Sequence, residues 1–273
     1  MARQSYRVKF PGGSGDQLAG IIDRPDDHPA GPVLVFSHCF TCNKDLKSTV
    51  RLSRAMSEKG VAVLRFDMTG LGGSEGDFSG TSFTTNLADL ASAIRFAAAE
   101  IGPVTTLLGH SFGGAASLAL AGQAAMPDAP AELASLQAIV TLAAPSDTTH
   151  LAALLASMNG QIERTGVGDV SIGGFDWTIR REMLQDLRSH HLPELIAQIT
   201  CPVMLMHSPS DKTVGFDHAL RIMSLIQGSP RGDTSVSLLS LGGADHLLAE
   251  NQADIDFVAS TVAAFAHRHF ATI

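Results

Sequence analysis

The chain has 273 residues, 45% of them hydrophobic and 17% charged, with 26 Gly, 12 Pro and 3 Cys, a mixture that excludes disordered, collagen-like and disulfide-scaffold classes. Its 19 Lys and Arg against 27 Asp and Glu give a formal net charge of −8. A phosphate backbone needs a dense basic face, so no nucleic-acid partner is expected. The opening MARQSYRVKFPGG lacks the apolar middle region of a secretory signal, which predicts a cytoplasmic location. The longest low-charge stretch, residues 104–126, is interrupted by His110, Ser111, Gln123 and several glycines, so no membrane span is expected.

Residues 6–10 and 18–24 alternate apolar and polar side chains around the turn-rich GGSGD, the pattern of an antiparallel hairpin at a sheet edge. Short apolar runs follow at 33–36, 61–66, 104–108, 138–142, 203–206 and 236–241. They read as strands buried on both faces. Between them, residues 44–58, 84–100, 112–125, 216–226 and 255–270 space their apolar side chains by three and four, as helices do. This alternation predicts an α/β fold with a mostly parallel, eight-stranded sheet flanked by helices, in one domain over 1–273. The stretch between Leu142 and Val203 is too long for one helix and a turn. Residues 146–198 are therefore expected to insert after the sixth strand as a small helical cap. It reads as helical over APSDTTHLAALLASM, Gly-rich over GVGDVSIGG, and helical over FDWTIRREMLQDLRSHHLPELIAQ until Pro193.

Directly after the run ending at Leu108 stand Gly109, His110, Ser111, Phe112 and Gly113. A GxSxG between strand and helix places its serine on a strained turn above the sheet, where the flanking glycines make room. The same string occurs at Gly72–Gly73–Ser74–Glu75–Gly76, but there it trails its strand and runs on into loop. Ser111 is accordingly the expected nucleophile. A serine hydroxyl needs an imidazole to take its proton, and the imidazole needs a carboxylate. In the order Ser, acid, His, these are Asp211 in HSPSDKTV and His246 in GGADHLL, each just after a predicted strand. Asp217 and Asp186 are the competing acids. The developing oxyanion calls for two main-chain donors, expected to be the Phe112 N–H and, in the loop SHCFTCNKD, the Phe40 N–H.

With these residues assembled, the chain resembles the α/β-hydrolase superfamily over nearly its whole length. FDMTGLGGSEG resembles its DxxGxGxS loop, and GHSFGG its nucleophile elbow. HCFTCNKD is similar to the HGFTGNK loop of small cap-bearing esterases, including cinnamoyl esterases, and closer to hydrolase domains found fused to an OsmC-type domain. The resemblance implies a serine hydrolase of carboxylesterase type that cleaves small esters or thioesters. Hydroxycinnamate esters are a narrower option. The cap residues Phe175, Trp177 and Met183 are expected either to pack as structure or to line an acyl pocket, and short acyl groups are expected to be preferred. No phosphate-binding loop or dinucleotide fingerprint occurs, so no cofactor is expected. No metal is expected either, because His190 with His191, and His267 with His269, lack carboxylate or thiolate partners. The protein is expected to act as a monomer or homodimer on a small-molecule ester. Cys39 and Cys42 stand where the esterase loop usually has glycine. They read either as a redox pair acting on the oxyanion loop, even as the sensor of a redox-responsive partner protein on a hydrolase scaffold, or as small buried space-fillers.

Overall fold

The computed structural model describes residues 2–26, 31–229 and 233–271. Its ten strands are β1 (Arg3–Pro11), β2 (Gln17–Pro25), β3 (Val33–Ser37), β4 (Ala62–Phe66), β5 (Thr106–His110), β6 (Ala138–Leu142), β7 (Val167–Ile172), β8 (Phe175–Arg180), β9 (Val203–His207) and β10 (Val236–Ser240). Among the described residues eight form one sheet in the order β1-β2-β4-β3-β5-β6-β9-β10, and β7 and β8 form a second, two-stranded sheet. The first two strands form the expected edge hairpin. β2 runs antiparallel to β4, and every later pairing in the large sheet is parallel.

Period-two alternation sends neighbouring side chains of each inner strand to opposite faces. Val35, Leu64, Leu107, Ile139 and Leu205 enter one apolar cluster, while Leu34, Val63, Leu108, Val140 and Met206 enter the other. This is why the strand segments read as unbroken apolar runs. The second cluster is covered by α1 (Lys47–Ser57) and α9 (Gln252–His269). The first is covered by α2 (Phe83–Glu100), α3 (Phe112–Ala124) and α8 (Phe216–Gln227), together with elements of the insertion. Among the described residues no helix is long and apolar enough to cross a membrane.

Two polar clusters are buried at the rim of the sheet. Arg65 on β4, almost fully buried, donates from Nε to Asp23 Oδ2 on β2 at 3.1 Å and from Nη1 to the Lys44 carbonyl at 2.7 Å. Asp67 just beyond β4 accepts at Oδ1 from the Lys44 N–H (2.5 Å) and at Oδ2 from Lys44 Nζ (2.8 Å) and the Gly73 N–H (2.7 Å). These bonds hold Lys44 outside the helix that the spacing assigned to it, and α1 begins only at Lys47.

The insertion departs from the all-helical expectation. It contains α4 (Thr149–Met158), α5 (Gln161–Thr165), the β7–β8 hairpin, α6 (Arg181–Ser189) and α7 (Leu192–Ile196). The segment 175–180, expected to be helical, is a strand. Ile172 pairs with Phe175 across Gly173 and Gly174, whose φ values are 63° and 82°. A two-residue hairpin turn with positive φ at both positions selects glycine, and the flanking Val, Ile, Trp and Thr residues suit a pleated strand better than a helix. Helix resumes at Arg181.

Candidate active site

Ser111 stands between β5 and α3 with φ 53° and ψ −117°, a backbone state that a non-glycine residue adopts only when its surroundings impose it. Here its N–H donates to the Leu142 carbonyl at 2.7 Å, and its carbonyl accepts from the Gly114 N–H at 2.8 Å. The flanking glycines are required by contact. A Cβ on Gly109 would lie 2.3 Å from the Gly113 carbonyl oxygen, and one on Gly113 would lie 2.2 Å from that of Ser37. The second close approach seats the start of α3 directly against the loop after β3. The alternative Ser74 is committed elsewhere: its Oγ donates to the Asp67 carbonyl at 2.7 Å and accepts from the Ala19 N–H at 2.9 Å.

Asp211 follows β9, and His246 follows β10. Since β5, β9 and β10 run parallel, all three residues lie at the carboxyl edge of the sheet, where open α/β sheets bind ligands. Asp211 Oδ2 accepts from His246 Nδ1 at 2.7 Å, and its Oδ1 accepts from the Thr213 and Val214 N–H groups at 2.8 and 3.0 Å. Burial raises the Asp211 pKa, but the His246 bond and the two amides outweigh it, and the carboxyl sits below its ordinary value. With Nδ1 donating, His246 keeps its Nε2 lone pair for a proton. Among the described residues no hydrogen bond joins Ser111 to the His246 ring; such bonds are often long before substrate arrives. The competing Asp186 instead accepts from the Thr84 N–H and Oγ1. Asp217 lies in the first turn of α8.

His110, the variable position of the motif, ties these parts together. Its Nε2 donates to the His246 carbonyl at 2.8 Å, and the two rings lie 5.2 Å apart. Burial, and then the nearby His246, lower its pKa to about 3. In the unfolded chain this ring takes its proton near the ordinary value of about 6.5. Between those values the unfolded state holds the extra proton. His110 therefore lends its full stabilisation above about pH 6.5 and loses it as the pH falls, by up to about 1.4 kcal/mol per pH unit. The unfolding midpoint is expected to drop between pH 7 and pH 5, and His110→Gln, which keeps a donor but cannot titrate, is expected to flatten that slope. Equal slopes in both proteins would contradict this assignment.

Phe40 lies in the turn after β3, and its ring packs edge-on against Phe112 at 5.3 Å. Among the described residues neither the Phe40 nor the Phe112 N–H has a main-chain acceptor. A row of rings continues outward from Phe40 to Phe78 (5.6 Å) and from Phe78 to Trp177 of the hairpin (4.8 Å). Nothing in the spacing pointed to Phe78, although it is a lone aromatic in the polar loop GDFSGTS. Beside it opens a cleft of about 460 Å³ lined by Ser79, Thr81, Ser82, Arg180, Met183 and Asp186. Of Phe175, Trp177 and Met183, Met183 is buried at this cleft, Trp177 is half-buried on Phe78, and Phe175 at the hairpin tip is 70% exposed. Cys39 and Cys42 are joined by a disulfide, so the reading of both as space-filling thiols does not describe this structure. His190 packs on Phe83 and lies 3.0 Å from Thr84 Oγ1, and His267 Nε2 lies 2.9 Å from the Lys59 carbonyl oxygen. Among the described residues no group of three His, Cys, Asp or Glu side chains could hold a metal ion.

A family model described as the alpha/beta hydrolase family matches residues 33–260. Palmitoyl-protein thioesterase ABHD10, mitochondrial, of Rattus norvegicus is 26% identical over 237 residues, which cover 85% of this chain and 74% of the relative. The esterase domain of a Rhodothermus marinus protein is 33% identical and superposes with a TM-score of 0.71, over 97% of this chain and 99% of that one. Est1E from Butyrivibrio proteoclasticus, in a structure with ferulic acid bound, is 20% identical with a TM-score of 0.73 over 97% of this chain and 100% of its own. This last likeness is one of fold alone.

Proposed function

Because the chain belongs to the alpha/beta hydrolase family, we propose that it is a serine carboxylic ester hydrolase acting, without a cofactor, on small esters or thioesters in the cytoplasm. The observation that carries the reading is the 2.7 Å bond between Asp211 and His246, at the same sheet edge as a serine held on a strained elbow. In the proposed reaction His246 Nε2 takes the Ser111 proton as Oγ attacks the acyl carbonyl, and Asp211 stabilises the resulting imidazolium. The Phe40 and Phe112 N–H groups receive the oxyanion. His246 then returns the proton to the leaving alkoxide or thiolate. Water, deprotonated by the same ring, releases the acid from Ser111.

The relatives support both leaving-group classes, since one is named a thioesterase and another an esterase domain. The row Phe40, Phe78 and Trp177 favours a narrower second reading, in which an aryl group such as that of a hydroxycinnamate lies along the rings. A panel of p-nitrophenyl esters from acetate to palmitate, with methyl ferulate and an acyl thioester, tests these readings. Short acyl esters are expected to exceed palmitate in kcat/KM by about 10-fold or more, since one extra methylene that a pocket cannot accommodate costs about 1–3 kcal/mol and a small cap has room for few of them. A fluorophosphonate is expected to modify the peptide containing Ser111. Modification at Ser74 instead, or no turnover anywhere in the panel, would overturn the proposal.

A further inference from the structure

The reaction outlined above makes no use of the cross-link in the loop after β3. The disulfide between Cys39 and Cys42, whose Cα atoms are 5.3 Å apart, closes a four-residue turn around Phe40 and Thr41. The Cys39 carbonyl accepts from the Cys42 N–H at 3.1 Å and from His38 Nδ1 at 2.8 Å. His38 Nε2 in turn accepts from the Met68 N–H at 3.2 Å, which leaves Nδ1 as the donor. The Cys39 carbonyl and the Phe40 N–H are opposite ends of one planar trans peptide, so pinning the carbonyl aims the N–H. Thr41 has φ 58°, a left-handed state that a β-branched residue disfavours. The turn thus holds a conformation its own sequence resists, and the cross-link bridges the ends of that turn.

We propose that the Cys39–Cys42 disulfide is a positioning element of the oxyanion site: it holds the Phe40 N–H on the developing alkoxide, and reduction of the disulfide slows acyl transfer. This rests on the reading of the Phe40 N–H as an oxyanion donor. The reductant is a dithiol. Its thiolate attacks Cys42 Sγ, the half-exposed partner, forming a mixed disulfide and expelling the Cys39 thiolate, since Cys39 itself is buried. The second thiol of the reductant then attacks the mixed disulfide and frees Cys42. The two protein sulfurs gain two electrons and two protons, and the reductant leaves as its own disulfide. Reoxidation reverses the exchange.

The test is steady-state hydrolysis of p-nitrophenyl acetate by the oxidised protein and by the same protein after dithiothreitol, with released thiols titrated and circular dichroism recorded at the assay temperature. Losing an oxyanion donor costs about 10²- to 10³-fold, and a misaimed one less. Reduction is expected to lower kcat about 10- to 100-fold with KM within about twofold and unchanged dichroism, and reoxidation is expected to restore kcat. A purely structural cross-link would not divide kcat from KM in this way. Cys39→Ser/Cys42→Ser, or Cys42→Ser alone, is expected to match the reduced protein and to ignore dithiothreitol. Cys201→Ser, away from this loop, is expected to keep both activity and redox response. Undiminished kcat in protein with both thiols released, or in a folded serine variant, would overturn the positioning role while leaving the hydrolase reading intact. An oxidised protein that turns over no ester would instead overturn the hydrolase reading.

Discussion

Ser111→Ala is expected to lower kcat for p-nitrophenyl acetate by about 10⁶-fold, the scale seen when a triad nucleophile is removed, and to abolish fluorophosphonate labelling. The other GxSxG serine is not placed to replace it. Ser74, in the second GxSxG, spends its Oγ between the Asp67 carbonyl and the Ala19 N–H, joining β2 to the loop after β4. The strained elbow is held by main-chain bonds from Ser111 to Leu142 and Gly114, which alanine retains, so the unfolding midpoint is expected to stay within a few degrees. The measurement is turnover and midpoint on one preparation. Turnover within tenfold of the wild type would show that chemistry proceeds from another residue.

Asp211→Asn is expected to lower kcat about 10⁴-fold with little change in KM, and the geometry gives the reason. Asp211 Oδ1 accepts from the Thr213 and Val214 N–H groups. In the variant only the amide oxygen can fill that place, which turns the NH₂ group toward His246 Nδ1. That nitrogen must then accept, the proton moves to Nε2, and the ring can no longer take one from Ser111. Because the loop keeps both main-chain bonds, the loss belongs to the tautomer and not to the fold. Asp211→Ala removes the loop bonds as well and is expected to lower the unfolding midpoint too. A kcat within tenfold of the wild type in Asp211→Asn would mean that the imidazole is oriented by something else.

Strands of the large sheet were legible because an inner parallel strand must be apolar on both faces, so Val33–Ser37 and Ala138–Leu142 announce themselves as runs. The elbow was legible because GxSxG followed such a run and preceded an Ala-rich helix. Asp211 and His246 stand out by chain order and by their places just after predicted strands, and the fold brings their side chains into contact. The segment between β6 and β9 was harder, because its hairpin is largely exposed and alternates only weakly. Its one clear signal, Gly173–Gly174 between Ile172 and Phe175, sits in a Gly-rich stretch that the spacing places between two helical segments. His110 could not be recognised from spacing, since its partner is a main-chain carbonyl 136 positions away. For Cys39 and Cys42 the CxxC spacing permits a cross-link without requiring one, and the turn geometry brings the sulfurs together.

Asp67, with its side chain fully buried, terminates two loops at once: Lys44 donates to it from the loop after β3, and Gly73 from the loop after β4. Neither amide hydrogen can meet deuterated solvent until that carboxylate lets go, so the two are expected to exchange in one shared opening with matched protection. The segment that carries Phe40 and the segment that follows β4 are mechanically a single piece. A change of length in one of them would be felt in the other, although 28 residues of chain separate the two amides along the sequence, from 45 through 72.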